Sequence, residues 1–200
     1  MDGQVRLTIA QERPGLREPL PPGQAGVTEL VEAAAGQQLE VDDIVSVAQD
    51  PGGAQAGDPQ RAEQARRYLK SQMPMYGVGV PRTRRIAQAA AASHPSLWRD
   101  ATGWETALRR VWDTAEHWEE RFAVLAIIRS RHCAPHADRI ESLALYEHLL
   151  RTGQWWDLVD ETSHAVGLVV RAHPAAAARM RAWATDADLW VRRSSIICQL

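Results

Sequence analysis

The chain has 200 residues, enough for one domain with a sizeable core or for a domain and a tail. Its 23 basic and 25 acidic residues almost balance, no apolar run approaches the roughly 20 residues of a membrane span, and the N-terminus lacks the apolar segment of a signal peptide. Two cysteines without a CxxC pair exclude a disulfide framework and indicate a reducing cytoplasm.

The first 60 residues differ in composition from the rest of the chain. They hold six Pro and eight Gly, against five of each in the rest, and ten acidic residues against three Arg. Residues 61–200 are basic instead, with 20 Arg and Lys against 15 acidic residues. We predict that residues 1–59 form a largely disordered acidic leader with some short helix, and that residues 60–200 form the folded domain.

From residue 60 onwards the apolar residues recur with a helical period, and Gly and Pro separate the segments. The predicted helices are 60–73, 82–92, 103–114, 117–131, 136–151, 155–171, 174–184 and 188–200. No stretch alternates apolar and polar residues for long enough to form a sheet, so the domain is predicted to be all-α. The helices pair at intervals of about 35–40 residues, which predicts a curved α-solenoid of HEAT-like repeats, an α-α superhelix. An irregular helix bundle is the alternative.

The first candidate site is the stretch YLKSQMPMYGVGVPRTRR, residues 68–85. Pro81 begins a helix whose first turn carries Arg82, Arg84 and Arg85. Because cations at a helix N-terminus oppose the helix dipole, these arginines would be better placed beside a phosphate. The alternative is a tight turn between packed helices with solvated arginines.

The stretch HWEERFAVLAIIRSR, residues 117–131, has the pattern of a core helix. Phe122 and Leu125 follow the helical spacing of a buried face, and residues 119–121 (EER) are predicted to lie outside. We assign no chemistry to this helix.

The stretch QWWDLVDETSHAVG, residues 154–167, places Trp156 and Asp160 four residues apart on one helix face. Asp157 lies in the first turn, where an acid complements the helix dipole. Asp160 lies too far into the helix to cap it, and a partly buried carboxylate is costly unless an arginine or a ligand compensates its charge. This aromatic wall beside an anion is either the solvated edge of the core or a site for a flat, positively charged group.

The last candidate stretch is DADLWVRRSSIICQL, residues 186–200. Asp186 or Asp188 can cap the helix, and Trp190 and Arg193 share a face. These side chains either are solvated or hold a phosphate.

Taken together and in this order, the four stretches resemble the AlkD-type DNA alkylation repair glycosylases, which are built from HEAT-like repeats. The resemblance covers about residues 60–200. It implies that the chain hydrolyses the N-glycosidic bond of alkylated, cationic purines in duplex DNA, such as N3-alkyladenine and N7-alkylguanine. It also implies a shallow groove instead of a deep pocket for the base.

By the same resemblance, Asp160 is the catalytic carboxylate, Trp156 is an aromatic residue at the lesion and Arg193 meets the DNA backbone. The further residues expected to contact DNA are Arg192, Trp190, Arg82 and Arg85. The partner is double-stranded DNA that contains alkylated bases. The chemistry needs no metal and no small-molecule cofactor.

Members of this family carry further helices after the segment that matches residues 188–200, including a second active-site tryptophan. The domain is therefore expected to be incomplete at its C-terminus. We expect a monomer in the cytoplasm, in the bacterial cytosol or nucleoid, with no membrane partner. The alternatives are a non-catalytic HEAT-like module that binds DNA, and a helical scaffold that binds an acidic protein partner, with the acidic leader folding back on the basic domain.

Overall fold

A computed structural model describes residues 57–200 of the chain, apart from the side chain of Leu97. These residues form nine α-helices and two short 3₁₀ helices, and no strand. The α-helices are α1 (Pro59–Leu69), α2 (Val80–Ser93), α3 (Ala101–Asp113), α4 (Trp118–Ile128), α5 (Ala134–Ala137), α6 (Leu143–Gly153), α7 (Trp156–Ala172), α8 (Ala176–Trp183) and α9 (Leu189–Ile197). The all-α prediction is confirmed for this part of the chain.

Helices close in sequence pack against one another. The most extensive contacts join α2 to α4, α6 to α7 and α7 to α9, with further contacts between α3 and α4 and between α8 and α9. Such a pattern, in which each element packs on its near neighbours, is typical of helical repeats. The described residues thus have the α-solenoid-like fold that the sequence predicts.

The first predicted helix is shorter than expected. It was predicted over residues 60–73 and ends at Leu69, because Lys70 adopts the left-handed conformation with φ 54°. Asp58 begins it, since its carboxylate accepts hydrogen bonds from the N–H groups of residues 60 and 61.

The predicted helix over residues 136–151 is interrupted. Residues 134–142 form the short helix α5 and a 3₁₀ turn, and α6 begins only at Leu143. Tertiary contacts hold this segment: Nε2 of His136 donates to the carbonyl oxygen of Trp98 at 2.8 Å, and the hydroxyl of Ser142 donates to the carbonyl oxygen of His136 at 2.6 Å. These bonds compete with a continuous helix.

Helix α4 is buried on nearly all sides, and only Arg121 of its residues is partly exposed. The prediction that residues 119–121 lie outside is therefore wrong for Glu119 and Glu120, whose exposed fractions are 2% and 1%. The prediction of a core helix is confirmed.

The burial of Glu119 follows from the turn that precedes α2. Its carboxylate accepts hydrogen bonds from the backbone N–H groups of Tyr76, Gly77 and Val78, at 3.0, 2.8 and 3.1 Å. Gly77 has φ +83°, and a Cβ there would lie 2.1 Å from the carbonyl oxygen of Asp58. The tight turn thus needs a glycine for its backbone and a carboxylate for its donors.

Of the predicted leader, residues 1–59, residues 1–56 lie outside the described part of the chain. Within residues 57–200, none of the helices combines the length and the apolar character that crossing a bilayer requires.

Candidate nucleic-acid interface and active site

A cleft of about 450 Å³ lies between α1, the turn that precedes α2, α4 and α7. Flat apolar side chains and carboxylates line it together. The aromatic residues are Tyr68, Trp118, Phe122 and Trp156, and the carboxylates are Glu119, Asp157, Asp160 and Glu161. This combination suits a flat group that carries positive charge, because rings attract a cation at their faces and carboxylates attract it directly.

Helix α7 supplies one wall of the cleft. It begins at Trp156, and its residues Trp156, Asp160 and His164 follow at intervals of four and therefore share one face. All three line the cleft. The buried face of the helix carries Leu158 and Thr162 instead, which are 2% and 0% exposed.

The carboxylate of Asp160 is held by the guanidinium of Arg193 in a two-pronged hydrogen bond. Nε donates to Oδ1 at 2.7 Å and Nη2 donates to Oδ2 at 2.8 Å. The two side chains are 28% and 40% exposed, so the pair lies at the edge of the protein. The hydrogen bonds to Asp160 raise the pKa of Arg193 above its ordinary value. Asp160 lies too far into the helix to act as its cap, and its charge is compensated instead by an arginine from α9.

Small side chains bring α7 and α9 close enough for this pair. Ser163 and Ser194 are fully buried and their hydroxyl groups lie 2.9 Å apart. One turn further along, a Cβ on Gly167 would lie only 2.7 Å from the carbonyl oxygen of Cys198. The close contact of the two helix backbones therefore fixes where Asp160 of α7 and Arg193 of α9 meet.

The end of α1 contacts the start of α7 through two indoles. The Nε1 atoms of Trp155 and Trp156 both donate to the carbonyl oxygen of Leu69, at 2.8 and 3.3 Å. Tyr68 meets the ring of Trp156 edge to face with centroids 6.2 Å apart. The sequence pattern did not identify Tyr68 as part of this site, although the stretch that contains it was singled out.

Asp157 also faces the cleft, and it is bound to α4. Its Oδ2 accepts a hydrogen bond of 2.6 Å from Nε1 of Trp118, whose ring stacks on Phe122 at 5.0 Å. Its buried Oδ1 has no hydrogen-bond partner among residues 57–200. Burial raises the pKa of this carboxyl, and the bond from Trp118 opposes the rise.

Glu161, the neighbour of Asp160, holds two arginines. Its carboxylate lies 2.9 Å from Nη1 of Arg129 and 3.8 Å from Nη2 of Arg84. The guanidinium of Arg84 also lies over the ring of Phe122, 5.8 Å from its centroid. The sequence did not identify Glu161 or Arg129 as part of a site, because each is an ordinary helix residue until the tertiary contacts are known.

Two of the predicted DNA contacts on α9 have partners within the protein. Nη1 of Arg192 donates to the carbonyl oxygens of Asp186 and Ala187 at 2.5 and 2.9 Å. Trp190 lies against Trp155 with ring centroids 6.4 Å apart. The prediction that Asp186 or Asp188 caps this helix is confirmed for Asp188.

The other two predicted DNA contacts lie on α2. Arg82 and Arg85 are exposed in its first turns and form no ion pair with the described residues. No group of three or more metal-ligating side chains occurs within residues 57–200.

Comparison with known proteins identifies the family of this chain. A family model described as DNA alkylation repair enzyme matches residues 54–200, which include every helix and the whole cleft described above. No curated protein matches the chain. Since the family match covers well over half of the sequence, the chain belongs to the family of DNA alkylation repair enzymes.

Proposed function

We propose that this chain is a DNA glycosylase that hydrolyses the N-glycosidic bond of alkylated purines such as N3-alkyladenine and N7-alkylguanine in duplex DNA. One observation carries the proposal: Asp160 and Trp156 share one face of α7 in the cleft, and Arg193 holds the carboxylate in a fixed orientation. The family membership supports a role in repair of alkylated DNA.

The chemistry requires little more than a fixed anion. An alkylated purine already carries a positive charge, so when the bond between C1′ and the base nitrogen breaks, the bonding electrons neutralise the base and it leaves without being protonated. Positive charge then develops on the deoxyribose, and water adds to C1′ and loses a proton. A fixed carboxylate such as Asp160 can stabilise that positive charge and accept the proton from water. Each carboxylate oxygen has a second lone pair, so the bonds from Arg193 leave room for this water.

Trp156 would act on the base and its positive charge. Its indole lines the same cleft as the carboxylate of Asp160. A cation over the face of a tryptophan is stabilised by about 0.5–2 kcal/mol. This attraction favours charged over neutral purines, which matches a substrate whose charge weakens its own bond.

Arg193 can hold Asp160 and a DNA phosphate at the same time. Its Nε–H and one N–H of Nη2 are used by Asp160, and a guanidinium has five N–H donors in all. The remaining edge, with one N–H of Nη1 and the second N–H of Nη2, can bind a phosphate. We extend this proposal to Trp190 and Arg192 beside Arg193 and, at the start of α2, to the exposed residues Arg82 and Arg85.

Base release from alkylated duplex DNA tests the proposal. The wild-type chain is expected to release N3-methyladenine or N7-methylguanine, and Asp160→Ala is expected to lower the rate by about 10²-fold or more. Asp138→Ala is the matched control, because Asp138 is an exposed aspartate outside the cleft. Equal release by wild type and Asp160→Ala would contradict the role of this carboxylate.

The proposal further places the protein, as a monomer, in the bacterial cytosol or nucleoid.

The alternative is a non-catalytic DNA-binding or protein-interaction module. One observation favours it: each oxygen of Asp160 already accepts a hydrogen bond from Arg193, as in a purely structural ion pair. Binding to DNA without release of any base by the wild-type chain would support the DNA-binding module. No affinity for DNA at low salt would leave the protein-interaction scaffold.

A further inference from the structure

Helix α7 carries two adjacent carboxylates that are held by arginines from different helices. Asp160 is held by Arg193 of α9. Glu161 is held by Arg84 of α2 and by Arg129, which follows the last residue of α4. Adjacent helix residues point about 100° apart, so the two groups of arginines lie on different sides of the same turn of α7.

The arginines at Glu161 remain accessible to another anion. The side chains of Arg84 and Arg129 are 40% and 44% exposed, whereas Glu161 is 26% exposed. The 3.8 Å contact between Arg84 and Glu161 is too long for a hydrogen bond, so the N–H donors of Arg84 are not used by this carboxylate. One carboxylate compensates two guanidinium groups, which leaves a net positive charge beside the cleft.

We propose that Arg84 and Arg129 form a second phosphate-binding site at the rim of the cleft, and that Glu161 holds their guanidinium groups there until DNA binds. This inference rests on the proposed function, because it takes the DNA backbone as the anion. A phosphate offers the same paired oxygens to a guanidinium as a carboxylate does. The phosphate therefore replaces Glu161 as the partner of both arginines without a new arrangement of the helices.

The role of Glu161 has a consequence that a structural ion pair would not have. Because Glu161 and the phosphate compete for the positive charge of the same two arginines, removing the charge of Glu161 strengthens the binding of DNA. A residue that only stabilised the helices would weaken binding, or leave it unchanged, when it was replaced.

The test is the affinity of the full chain for undamaged duplex DNA, measured by fluorescence anisotropy between about 50 and 200 mM salt. In R84A/R129A the slope of log Kd against log salt concentration is expected to fall by roughly 1 to 2, because each lost phosphate contact releases about one counterion fewer. In E161Q the affinity is expected to rise severalfold.

The chain offers a matched control for both variants. Arg179 contacts Glu147 at 2.6 Å, and Glu147 also binds Arg151 at 2.7 Å, so one glutamate again holds two arginines. None of these three residues lines the cleft. R179A and E147Q are therefore expected to leave the salt slope and the affinity unchanged.

An unchanged slope in R84A/R129A, or an equal fall in R179A, would overturn the second phosphate site. Unchanged or weaker binding by E161Q would overturn the role of Glu161. Should the double alanine variant lose its helical circular dichroism, R84Q/R129Q replaces it with the same expected slope, because glutamine keeps part of the side chain and removes the charge. If the wild-type chain fails to bind DNA even at the lowest salt, the proposed function fails together with this inference, whereas the earlier outcomes leave the proposed function intact.

Discussion

Asp160 and Arg193 lie 33 residues apart in the sequence and meet through two parallel hydrogen bonds of 2.7 and 2.8 Å. The pair joins α7 to α9 at the edge of the cleft. The guanidinium compensates the charge of this partly exposed carboxylate by binding both of its oxygens. The guanidinium also fixes the direction of the carboxylate, which is the arrangement that the proposed role of Asp160 requires.

The first prediction concerns the strength of this pair. A double-mutant cycle with Asp160→Ala and Arg193→Ala is expected to give a coupling energy of about 1 kcal/mol in urea denaturation, because both side chains are partly exposed to water. The exposed pair of Glu63 and Arg67 on α1 is the control, and its coupling is expected to be weaker because water screens both charges. Equal coupling in the two pairs would mean that the pair at the cleft is no stronger than an ordinary surface contact.

The second prediction concerns the indole in the cleft. Trp156→Ala is expected to lower base release about 2- to 30-fold, which corresponds to the loss of a cation–π contact of about 0.5–2 kcal/mol. Trp156→Phe is expected to lose less, since a phenyl ring retains part of the attraction. Trp155→Phe is the control: Trp155 donates to the same Leu69 carbonyl but does not line the cleft. The same loss of activity in both phenylalanine variants would contradict the role given to Trp156.

The fold was predictable because helical spacing of apolar residues is a local signal. The prediction of helix boundaries failed where a contact with a residue far along the chain overrides the local preference for a helix. Lys70 ends α1 in the left-handed conformation, which leaves the Leu69 carbonyl to accept bonds from the two indoles of α7. His136 interrupts a predicted helix because its ring is bonded to the carbonyl of Trp98, 38 residues away.

The candidate site was predictable only where its residues lie in one helix turn. Trp156 and Asp160 are four residues apart, so their common face follows from helix geometry. The contacts of Glu161 with Arg84 and Arg129 join three segments, and no spacing within one segment reveals them. Glu119 was predicted to be exposed because glutamate is seldom buried. It is buried because the turn that precedes α2 has backbone N–H donors that need an acceptor.

The third prediction tests how α7 and α9 approach each other. Gly167→Ala places a Cβ 2.7 Å from the carbonyl oxygen of Cys198, which is backbone and cannot move alone. We expect a loss of about 1–3 kcal/mol in the free energy of unfolding, and a weaker coupling between Asp160 and Arg193 in the same background. Gly79→Ala is the control, because its Cβ would meet nothing closer than 3.7 Å. Unchanged coupling in Gly167→Ala would show that the ion pair does not depend on the close approach of the helices.

The fourth prediction concerns the buried carboxylate under the turn that precedes α2. Glu119→Ala leaves the three backbone N–H groups of residues 76–78 without their acceptor, so we expect a loss of about 3 kcal/mol or more in the free energy of unfolding. Glu119→Gln keeps one side-chain oxygen and is expected to lose less. Glu116→Ala is the control, since Glu116 is exposed in the segment between α3 and α4. A loss no larger than that of the control would contradict this account of the turn.

The fifth prediction is a change of stability with pH that depends on Asp157. Burial raises its pKa in the folded chain above the ordinary value of 3.8. As the pH rises from about 3.8 through the raised pKa, the unfolded chain releases the Asp157 proton before the folded chain does. The native state therefore becomes less stable relative to the unfolded state. Asp157→Asn has no such proton, and its side-chain oxygen can still accept the bond from Trp118. Relative to wild type, the variant is therefore expected to gain stability between about pH 3 and pH 7 in urea denaturation.

Asp186 provides a control of opposite sign for this experiment. Its hydrogen bonds from Arg151 hold its pKa at about 2. The stability that this pair provides is present above the ordinary aspartate pKa of 3.8 and is lost as the pH falls towards 2. Asp186→Asn is therefore expected to be less stable than wild type at neutral pH and to approach it in acid. If Asp157→Asn followed the wild-type pH profile, the carboxyl of Asp157 would have an ordinary pKa, and its burial beside Trp118 would not disfavour the charged form.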